Sequence, residues 1–364
     1  MTQLRVPGPT PCPPEVLKAM AWPMVNHRGP EFHQMLSDVT ADLKKIFQTR
    51  NDVLLLTGSG TGGLEAAAVN MLSPGDKVLS VSIGVFGDRF AGIAKQFGAD
   101  VISLKAEWGK AADPDALKKA LKENPGVKAV FLTHNETSTG VTNDLGALSQ
   151  VVKDAGKLLV VDAISSLGSI NLPVDDWHGD VVVTASQKGW MVPPGLAMVS
   201  VSEAAWQAHA AAKMPRFYWD FTRAKKNFDE KKENPWTPAI SIVYGLTVSL
   251  KMMLKEGINN IFDRHARIGQ MTRDGIKKMG LPLFAEESHA SNTVTAVGIP
   301  EGLDGKKLRQ ILREEYKVVL AGGQQTLDGK IFRIGHLGMV NEKDMKEVLT
   351  AIQKVLPLAG LKNS

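Results

Sequence analysis

Short apolar runs alternate with helical patterns along the first half of the chain. Seven runs, rich in Val, Leu and Ile and bounded by Gly, Pro or Asp, occupy residues 53–56, 78–82, 101–104, 127–132, 158–162, 181–184 and 197–201. Continuous apolar runs of this length are typical of strands buried on both faces of a sheet. The first six are separated by segments long enough for helical crossovers, so the pattern predicts an α/β fold with a seven-stranded, mostly parallel sheet.

The link between the last two runs is different, because it is a loop that contains Gly189, Pro193, Pro194 and Gly195. A parallel pair needs a long crossover, whereas an antiparallel pair can be joined by a short link. One of the last two strands is therefore predicted to run antiparallel to the rest.

The pattern changes after about residue 258. A long helical stretch runs to Lys278, and strands are predicted at 292–297, 318–320 and 331–334, with helices between and after them. This is typical of a smaller α/β unit. We therefore divide the chain into an N-terminal arm (1–15), a large domain (16–258) and a small C-terminal domain (259–364).

Composition narrows the function classes. The chain has 364 residues, of which 43% are hydrophobic and 22% charged, as expected for a globular protein. Its formal charge of +5 is modest, and no basic run is interleaved with aromatic residues, so the sequence predicts no nucleic-acid partner. Because Cys12 is the single cysteine, neither an intramolecular disulfide nor a cysteine-based metal cluster is expected. No apolar run is long enough to span a membrane and no signal peptide is recognised, so a cytoplasmic location is expected.

Two candidate catalytic residues lie at the ends of two predicted strands. Ser186-Gln187-Lys188 follows the run at 181–184, and the run at 158–162 ends in Asp162. A lysine that forms an imine and an acid that pairs with a protonated pyridine ring are the two groups that pyridoxal 5′-phosphate requires. Taken singly, the lysine is also compatible with a surface charge and Asp162 with a helix cap. Their joint placement at strand ends, where α/β sheets bind ligands, favours the pyridoxal cofactor.

A glycine-rich turn supplies a candidate phosphate site. The first run leads into Thr57-Gly58-Ser59-Gly60-Thr61-Gly62-Gly63 and then into a segment of strong helix propensity. Glycines let backbone amides approach an anion, and the helix N-terminus adds unpaired N–H groups. The spacing differs from that of a nucleoside triphosphate loop, but this turn alone leaves a nicotinamide dinucleotide enzyme as an alternative.

With these residues in place, the chain resembles class V aminotransferases of the serine/alanine:glyoxylate aminotransferase family. The resemblance covers essentially the whole length. It is carried by Val6-Pro7-Gly8-Pro9, Gly58-Ser59-Gly60-Thr61, His134-Asn135-Glu136-Thr137-Ser138-Thr139-Gly140, Val161-Asp162-Ala163-Ile164-Ser165-Ser166, Ser186-Gln187-Lys188, Trp236-Thr237-Pro238 and Phe332-Arg333-Ile334-Gly335. It implies the type I fold of pyridoxal enzymes and a homodimer whose two active sites each receive residues from both subunits.

The resemblance also implies the residues that hold the cofactor. Lys188 forms the imine and moves a proton as general base and acid, and Asp162 keeps the pyridine nitrogen protonated. Phe86 falls where relatives stack an aromatic ring on the cofactor, although an ordinary core phenylalanine is the alternative. The other expected contacts are Thr137 to the phenolic oxygen, and Ser59, Gly60, Thr61, Gln187 and the partner subunit's Thr237 to the phosphate.

Two arginines are candidates for substrate binding. Arg333 suits the α-carboxylate, because a planar guanidinium grips both carboxylate oxygens in a fixed orientation. Arg28, beside His27, resembles a substrate contact donated by the partner subunit in the plant-like branch. That branch has tyrosine at the position of His27, whereas mammalian-like members have histidine in place of Thr61 and tryptophan in place of Phe86. These departures bear on the identity of the amino donor.

The favoured prediction is therefore pyridoxal-dependent transamination from L-serine or L-alanine to glyoxylate. Another class V enzyme, either an aminotransferase with a different donor or a lyase or desulfurase, is the first alternative. A desulfurase needs a mobile nucleophilic cysteine, and Cys12 lies in the N-terminal arm. A nicotinamide-dependent oxidoreductase or a binding module that uses the glycine-rich turn is the second alternative.

Overall fold

The computed structural model of the protein describes residues 2–361. Within this range the chain forms thirteen strands. In chain order, β1 to β13 are Gln3–Arg5, Asp52–Gly58, Lys77–Ser82, Asp100–Lys105, Val127–Thr133, Asn135–Glu136, Val141–Thr142, Leu158–Asp162, Val181–Ala185, Gly195–Val201, Val294–Gly298, Val318–Gly322 and Ile331–Gly335.

The same range contains twelve α-helices. In chain order, α1 to α12 are Pro14–Ala19, Pro30–Phe47, Gly60–Met71, Val85–Gln96, Pro114–Glu123, Leu145–Asp154, Glu203–Ala211, Phe221–Lys231, Ile240–Glu256, Ile258–Lys278, Gly305–Glu314 and Glu342–Val355. No helix between residues 2 and 361 combines the length and apolarity needed to cross a bilayer.

The large sheet contains all seven predicted strands, in the order β2-β10-β9-β8-β5-β3-β4. Strand β10 is antiparallel to both of its neighbours, and the other adjacent pairs are parallel. The seven-stranded, mostly parallel sheet and its antiparallel strand are therefore confirmed. The loop with Ser186-Gln187-Lys188 lies on the short β9–β10 link, as the sequence predicted.

Helices bury both faces of this sheet. Along β2, Leu54 and Leu56 belong to one apolar cluster, and Leu55 belongs to the cluster on the opposite face. Successive side chains of a strand point to opposite faces, so a continuous apolar run is buried only where both faces are covered. Helices α3 and α4 contribute to the first cluster, and α2 and α9 contribute to the second. The loops at the carboxyl edge of the sheet are left open for a site.

A second sheet has the order β1-β12-β13-β11. Its last three strands overlap the predicted segments, and α10 spans the predicted helical stretch. The N-terminal arm adds a strand that the sequence did not predict, because Gln3–Arg5 pairs in parallel with β12. The arm thus links the small sheet to the active-site loops described below. The boundaries of the three predicted segments stay a prediction.

Candidate active site

A cavity of about 350 Å³ lies at the carboxyl edge of the large sheet. The ends of parallel strands meet at this edge, which is where open α/β sheets bind ligands. The structure brings seven of the predicted site residues to its wall. They are Gly60, Thr61, Phe86, Thr137, Asp162, Gln187 and Lys188.

The Lys188 side chain is enclosed by the N-terminal arm. Its ammonium donates a hydrogen bond to the carbonyl oxygen of Pro7, and a Cβ atom at Gly8 would lie 2.6 Å from its Nζ. The Thr10 hydroxyl donates to the Lys188 carbonyl oxygen at 2.9 Å, which fixes the loop. Burial lowers the pKa of Lys188 to about 8, against the opposing charge of Asp162. A lysine amine with this pKa is deprotonated often enough near neutrality to act as nucleophile and base.

Asp162 ends β8 and is 4% exposed. Its Oδ1 accepts a hydrogen bond from the backbone N–H of Ile164 at 3.0 Å, which leaves Oδ2 without a hydrogen bond among residues 2–361. Burial raises the pKa of Asp162 to about 7, opposed by the Ile164 N–H. A protonated pyridine nitrogen beside Oδ2 would stabilise the charged carboxylate.

This raised pKa predicts a pH-dependent stability. In the cofactor-free protein, folding raises the pKa of Asp162 from 3.8 to about 7. The folded state therefore binds the proton more tightly than the unfolded state does, and this stabilisation is complete below the unfolded pKa. That contribution is lost as pH rises through 7. We expect the free energy of unfolding of the wild type to fall by roughly a few kcal/mol relative to Asp162→Asn between about pH 4 and pH 8.

Urea unfolding of both cofactor-free proteins at several pH values measures this difference. The exposed Asp176→Asn variant is the control, and its stability should follow that of the wild type across the pH range. Parallel curves for wild type and Asp162→Asn would show that Asp162 does not titrate in this range.

The glycine-rich turn between β2 and α3 forms an anion cradle. Ser59 is the N-cap residue of α3, yet its side chain makes no capping hydrogen bond, so its hydroxyl is available to a ligand. The first amides of a helix have no intrahelical partner. A Cβ atom at Gly60 would lie 2.5 Å from the Ile164 Cδ1 atom, and one at Gly62 would lie 3.1 Å from Trp219. The glycines therefore let the turn fit closely between its neighbours and the cavity.

Gln187 and Thr137 complete the polar side of the cavity. The Gln187 Oε1 atom is buried without a hydrogen-bond partner in the described chain, although its side chain lines the cavity. A buried polar atom without a partner costs free energy unless a ligand or water satisfies it. Thr137 is buried in the loop between β6 and β7 and lines the same cavity.

Phe86 lies in the first turn of α4 with its ring at the cavity wall. One turn later, Arg89 places its Cζ atom 4.7 Å from the centroid of this ring and also lines the cavity. The sequence analysis missed Arg89. Its spacing of three residues from Phe86 on a helix was the signal available, because side chains at i and i+3 share a face.

Arg333 is buried in β13, behind the wall of the cavity. Its Nε donates to the Gly322 carbonyl oxygen at 2.8 Å, and its Nη1 donates to the Thr137 carbonyl oxygen at 3.0 Å and to Gln324 Oε1 at 3.2 Å. Burial lowers the pKa of Arg333 to about 10, so the guanidinium stays charged at neutral pH. Its partners Thr137 and Gln324 line the cavity, which places this cation beside it.

Three predicted residues lie outside the cavity of their own chain. The Arg28 guanidinium contacts the Glu233 carboxylate and donates to the carbonyl oxygens of Asn234 and Pro235 at 3.0 and 3.4 Å. Thr237 is exposed just beyond this loop, and His27 adjoins Arg28. The structure thus brings Arg28 and the Thr237 loop together, and it does not bring either to Lys188.

The N-terminal arm contributes residues that the sequence analysis did not assign to the site. Gly8 and Pro9 line the cavity, together with Asn135 and Gln324. A Cβ atom at Gly335 would lie 2.2 Å from the Val6 carbonyl oxygen, so this glycine lets the arm pass directly over β13. The Val6-Pro7-Gly8-Pro9 segment was the available signal.

The donor set fits pyridoxal 5′-phosphate. The cavity combines a lysine amine, an acid with a free oxygen and a glycine-rich helix N-terminus. Within residues 2–361, no group of three or more His, Cys, Asp or Glu side chains is arranged to hold a metal ion.

Comparisons with known proteins show the family of this chain. The model of the family Aminotransferase class-V matches residues 4–344. An uncharacterised aminotransferase of Methanocaldococcus jannaschii is 45% identical, over 98% of this chain and 93% of its own length. The L-aspartate–glyoxylate aminotransferase of Paracoccus denitrificans is 37% identical, over 98% of this chain and 91% of its own length. The serine–glyoxylate aminotransferase of Methylorubrum extorquens is 36% identical, over 99% of this chain and 92% of its own length.

A solved structure supports the fold assignment. The alanine–glyoxylate aminotransferase of a Nostoc species superposes with a TM-score of 0.94 at 30% identity, over 98% of this chain and 95% of that one. The chain therefore belongs to the class V aminotransferases, enzymes that have the type I pyridoxal fold and depend on pyridoxal 5′-phosphate.

Proposed function

We propose that this enzyme transfers the amino group of L-serine or L-alanine to glyoxylate. The observation that carries the proposal is a cavity of only about 350 Å³, which must hold the cofactor and the substrate, with the buried Arg333 beside it. Such a space suits a small amino acid and a two-carbon oxo acid. Serine–glyoxylate and alanine–glyoxylate enzymes are among the proteins to which the chain is similar.

When bound, pyridoxal phosphate supplies a ring that withdraws electrons from the α-carbon of the amino acid. In our proposal Lys188 Nζ takes the proton from that carbon, and its lowered pKa suits it to do so near neutrality. Asp162 holds the proton on the ring nitrogen. Arg333 orients the α-carboxylate, and the arm over Lys188 limits the access of water.

We assign the phosphate to Ser59, Gly60, Thr61 and Gln187, and the phenolic oxygen to Thr137. Thr237, Arg28 and His27 would serve the site of the partner subunit in a homodimer, which is supported by their position outside the cavity of their own chain. A group of exposed apolar side chains lies along the same segments and suits a subunit interface. These are Trp22 (43% exposed), Met24 (64%), Phe217 (64%) and Tyr218 (44%).

A second donor class is favoured by Arg89. This arginine lines the cavity, has no ion-pair or hydrogen-bond partner among residues 2–361, and would suit the distal carboxylate of L-aspartate. The similarity to an L-aspartate–glyoxylate aminotransferase points the same way. We still expect L-serine or L-alanine to react better, because the small cavity disfavours a longer donor.

Rapid mixing of the holoenzyme with single amino acids tests the donor. L-Serine or L-alanine should bleach the visible absorption of the bound cofactor in one turnover, and glyoxylate should restore it. L-Aspartate and L-glutamate should react poorly. Efficient reaction of L-glutamate, with none of L-serine or L-alanine, would contradict the proposal. If L-aspartate reacts best and Arg89→Ala removes that reaction selectively, the second donor class is correct.

The Arg333→Lys variant tests the carboxylate site. Lysine keeps the charge but lacks the planar fork, so we expect kcat/KM to fall for every α-amino acid donor, by about 10-fold or more. The absorption spectrum of the bound cofactor should stay unchanged, because we assign Arg333 to the substrate carboxylate and not to the cofactor. Arg313→Lys, on the exposed face of α11, is the matched control and should have wild-type kinetics. An unchanged efficiency for Arg333→Lys would place the carboxylate elsewhere.

The alternatives lose support in the structure. Cys12 lies in the arm with its Sγ 3.9 Å from the Thr10 carbonyl oxygen, and burial raises the pKa of its thiol. A protonated thiol is a poor nucleophile, which argues against a desulfurase. Membership of aminotransferase class V removes the reason to consider a nicotinamide enzyme. The cytoplasmic location stays a prediction.

A further inference from the structure

Glu136 is a buried acid to which we have assigned no role so far. Its side chain is fully buried, and each carboxylate oxygen accepts two hydrogen bonds. Oε1 accepts from the Ser138 backbone N–H at 3.0 Å and from the Ser138 hydroxyl at 2.6 Å. Oε2 accepts from the backbone N–H groups of Phe86 and Gly87 at 2.9 and 3.1 Å. All four donors suit an ionised carboxylate, which only accepts hydrogen bonds.

On one side, this carboxylate anchors the start of α4. The N-cap residue Gly84 has no side chain, so the first amides of α4 need acceptors from elsewhere. Glu136 Oε2 accepts from two of these amides, and the Ser138 hydroxyl accepts from a third, the Val85 N–H, at 3.0 Å. A Cβ atom at Gly84 would lie 2.5 Å from Ser138 Oγ, so the glycine makes room for this contact. The helix anchored in this way carries Phe86 at the cavity wall.

On the other side, the same short loop holds the substrate arginine. The next residue, Thr137, places its carbonyl oxygen 3.0 Å from Arg333 Nη1. Glu136 is therefore one residue from the Arg333 contact and is bonded directly to the backbone of Phe86. Glu136 and Thr137 together therefore connect α4, which carries Phe86, with the Arg333 guanidinium beside the cavity.

We propose that Glu136 is a positioning residue that fixes Phe86 and Arg333 relative to each other. Because Glu136 and its neighbour Thr137 bind the backbone of Phe86 and the guanidinium of Arg333, the Phe86 ring and the Arg333 guanidinium keep a constant spacing. Catalysis depends on such spacing, because a displacement of about 1 Å can cost on the order of 10²-fold in rate. The inference rests on the functions proposed above for Phe86 and Arg333. A helix cap without this function would affect stability alone.

The Glu136→Gln holoenzyme tests the proposal. Glutamine keeps the shape, but its amide nitrogen cannot accept a hydrogen bond, so the Ser138 or the Phe86 and Gly87 donors lose an acceptor. We expect KM for the amino donor to rise about 10-fold or more, and the visible circular dichroism band of the bound cofactor to change. Ser138→Ala should act in the same direction with a smaller change, and it provides a second test if Glu136→Gln does not fold.

A matched control separates positioning from stability. Asp113 caps α5, away from the cavity, by accepting from the Asp115 N–H at 2.9 Å. Asp113→Ala should lower the melting temperature but leave KM and the dichroism band unchanged. If Glu136→Gln and Ser138→Ala behave like Asp113→Ala, Glu136 is a helix cap only and the proposal is overturned.

A double variant tests the connection to Arg333. In the Arg333→Lys background, the further increase in KM caused by Glu136→Gln should shrink to less than about twofold, because the group that it positions is already gone. Independent, multiplying effects would show that Glu136 does not act through Arg333. Failure of the proposed donors would be seen in the wild type itself. The dichroism comparison needs no donor, so it judges the Phe86 part of the inference in that case.

Discussion

Replacing Lys188 with alanine is expected to abolish turnover while the protein still folds and binds the cofactor without a covalent bond. Loss of acid and base help alone accounts for roughly 10²- to 10⁴-fold. Loss of the covalent link adds to that effect. The proposed phosphate ligands Ser59, Gly60 and Thr61 and the acid at Asp162 are separate from the lysine, so binding should persist. Steady-state assays and the absorption spectrum of the purified variant measure both parts.

The exposed Lys122→Ala variant is the matched control, since it removes a lysine from α5 without touching the cavity. It should keep wild-type activity and spectrum. Near-normal turnover of Lys188→Ala would mean that the assignment of this lysine is wrong. Loss of folding in that variant alone would point to the contact of the Lys188 ammonium with the Pro7 carbonyl oxygen as a structural requirement.

Mixing two impaired variants is expected to restore up to about half of the wild-type activity. Lys188→Ala lacks the lysine of its own site, and Arg28→Ala lacks the residue that we assign to the partner's site. In a heterodimer, one site combines the lysine of the second chain with the arginine of the first, so it is complete. The opposite site lacks both groups. Since two-fold symmetry makes the two sites of the parent equivalent, one complete site gives at most about half of the wild-type activity.

Co-refolding the two variants and assaying the purified heterodimer measures this recovery. Mixing either variant with itself is the control and should restore nothing. If Arg28 serves the site of its own chain, no heterodimer site is complete and activity stays absent. A nearly active Arg28→Ala homodimer would remove Arg28 from the site altogether, and its contacts with Glu233 and the Asn234 carbonyl oxygen would then be structural.

The large sheet could be predicted because each of its strands is buried on both faces. Continuous runs such as Val53-Leu54-Leu55-Leu56 have few other stable arrangements, and the loop before β10 was too short for a crossover. The strand Gln3–Arg5 could not be predicted, because a three-residue strand has no periodicity of its own. It forms only because β12 offers free backbone hydrogen-bonding groups.

Part of the candidate site could also be predicted from the sequence. Asp162 and Lys188 follow predicted strands, and the carboxyl ends of such strands meet at one edge, so their proximity could be expected. Gln324 gave no such signal, and Arg89 gave only its three-residue spacing from Phe86, since the presence of both at the cavity depends on how α4 and the β12–β13 link pack. The functions of the individual residues stay predictions for the variants described above.

The sequence by itself determined the class of this protein: the sheet, the lysine and acid at its edge, the glycine-rich turn and the family resemblance are all local patterns. Only the tertiary structure decided which distant groups share a cavity. It closed the arm over Lys188, set Glu136 between Phe86 and the loop that holds Arg333, and left Arg28 and Thr237 outside. Side-chain burial and hydrogen-bond partners depend on contacts between segments far apart in the chain, and local periodicity carries no information about those contacts.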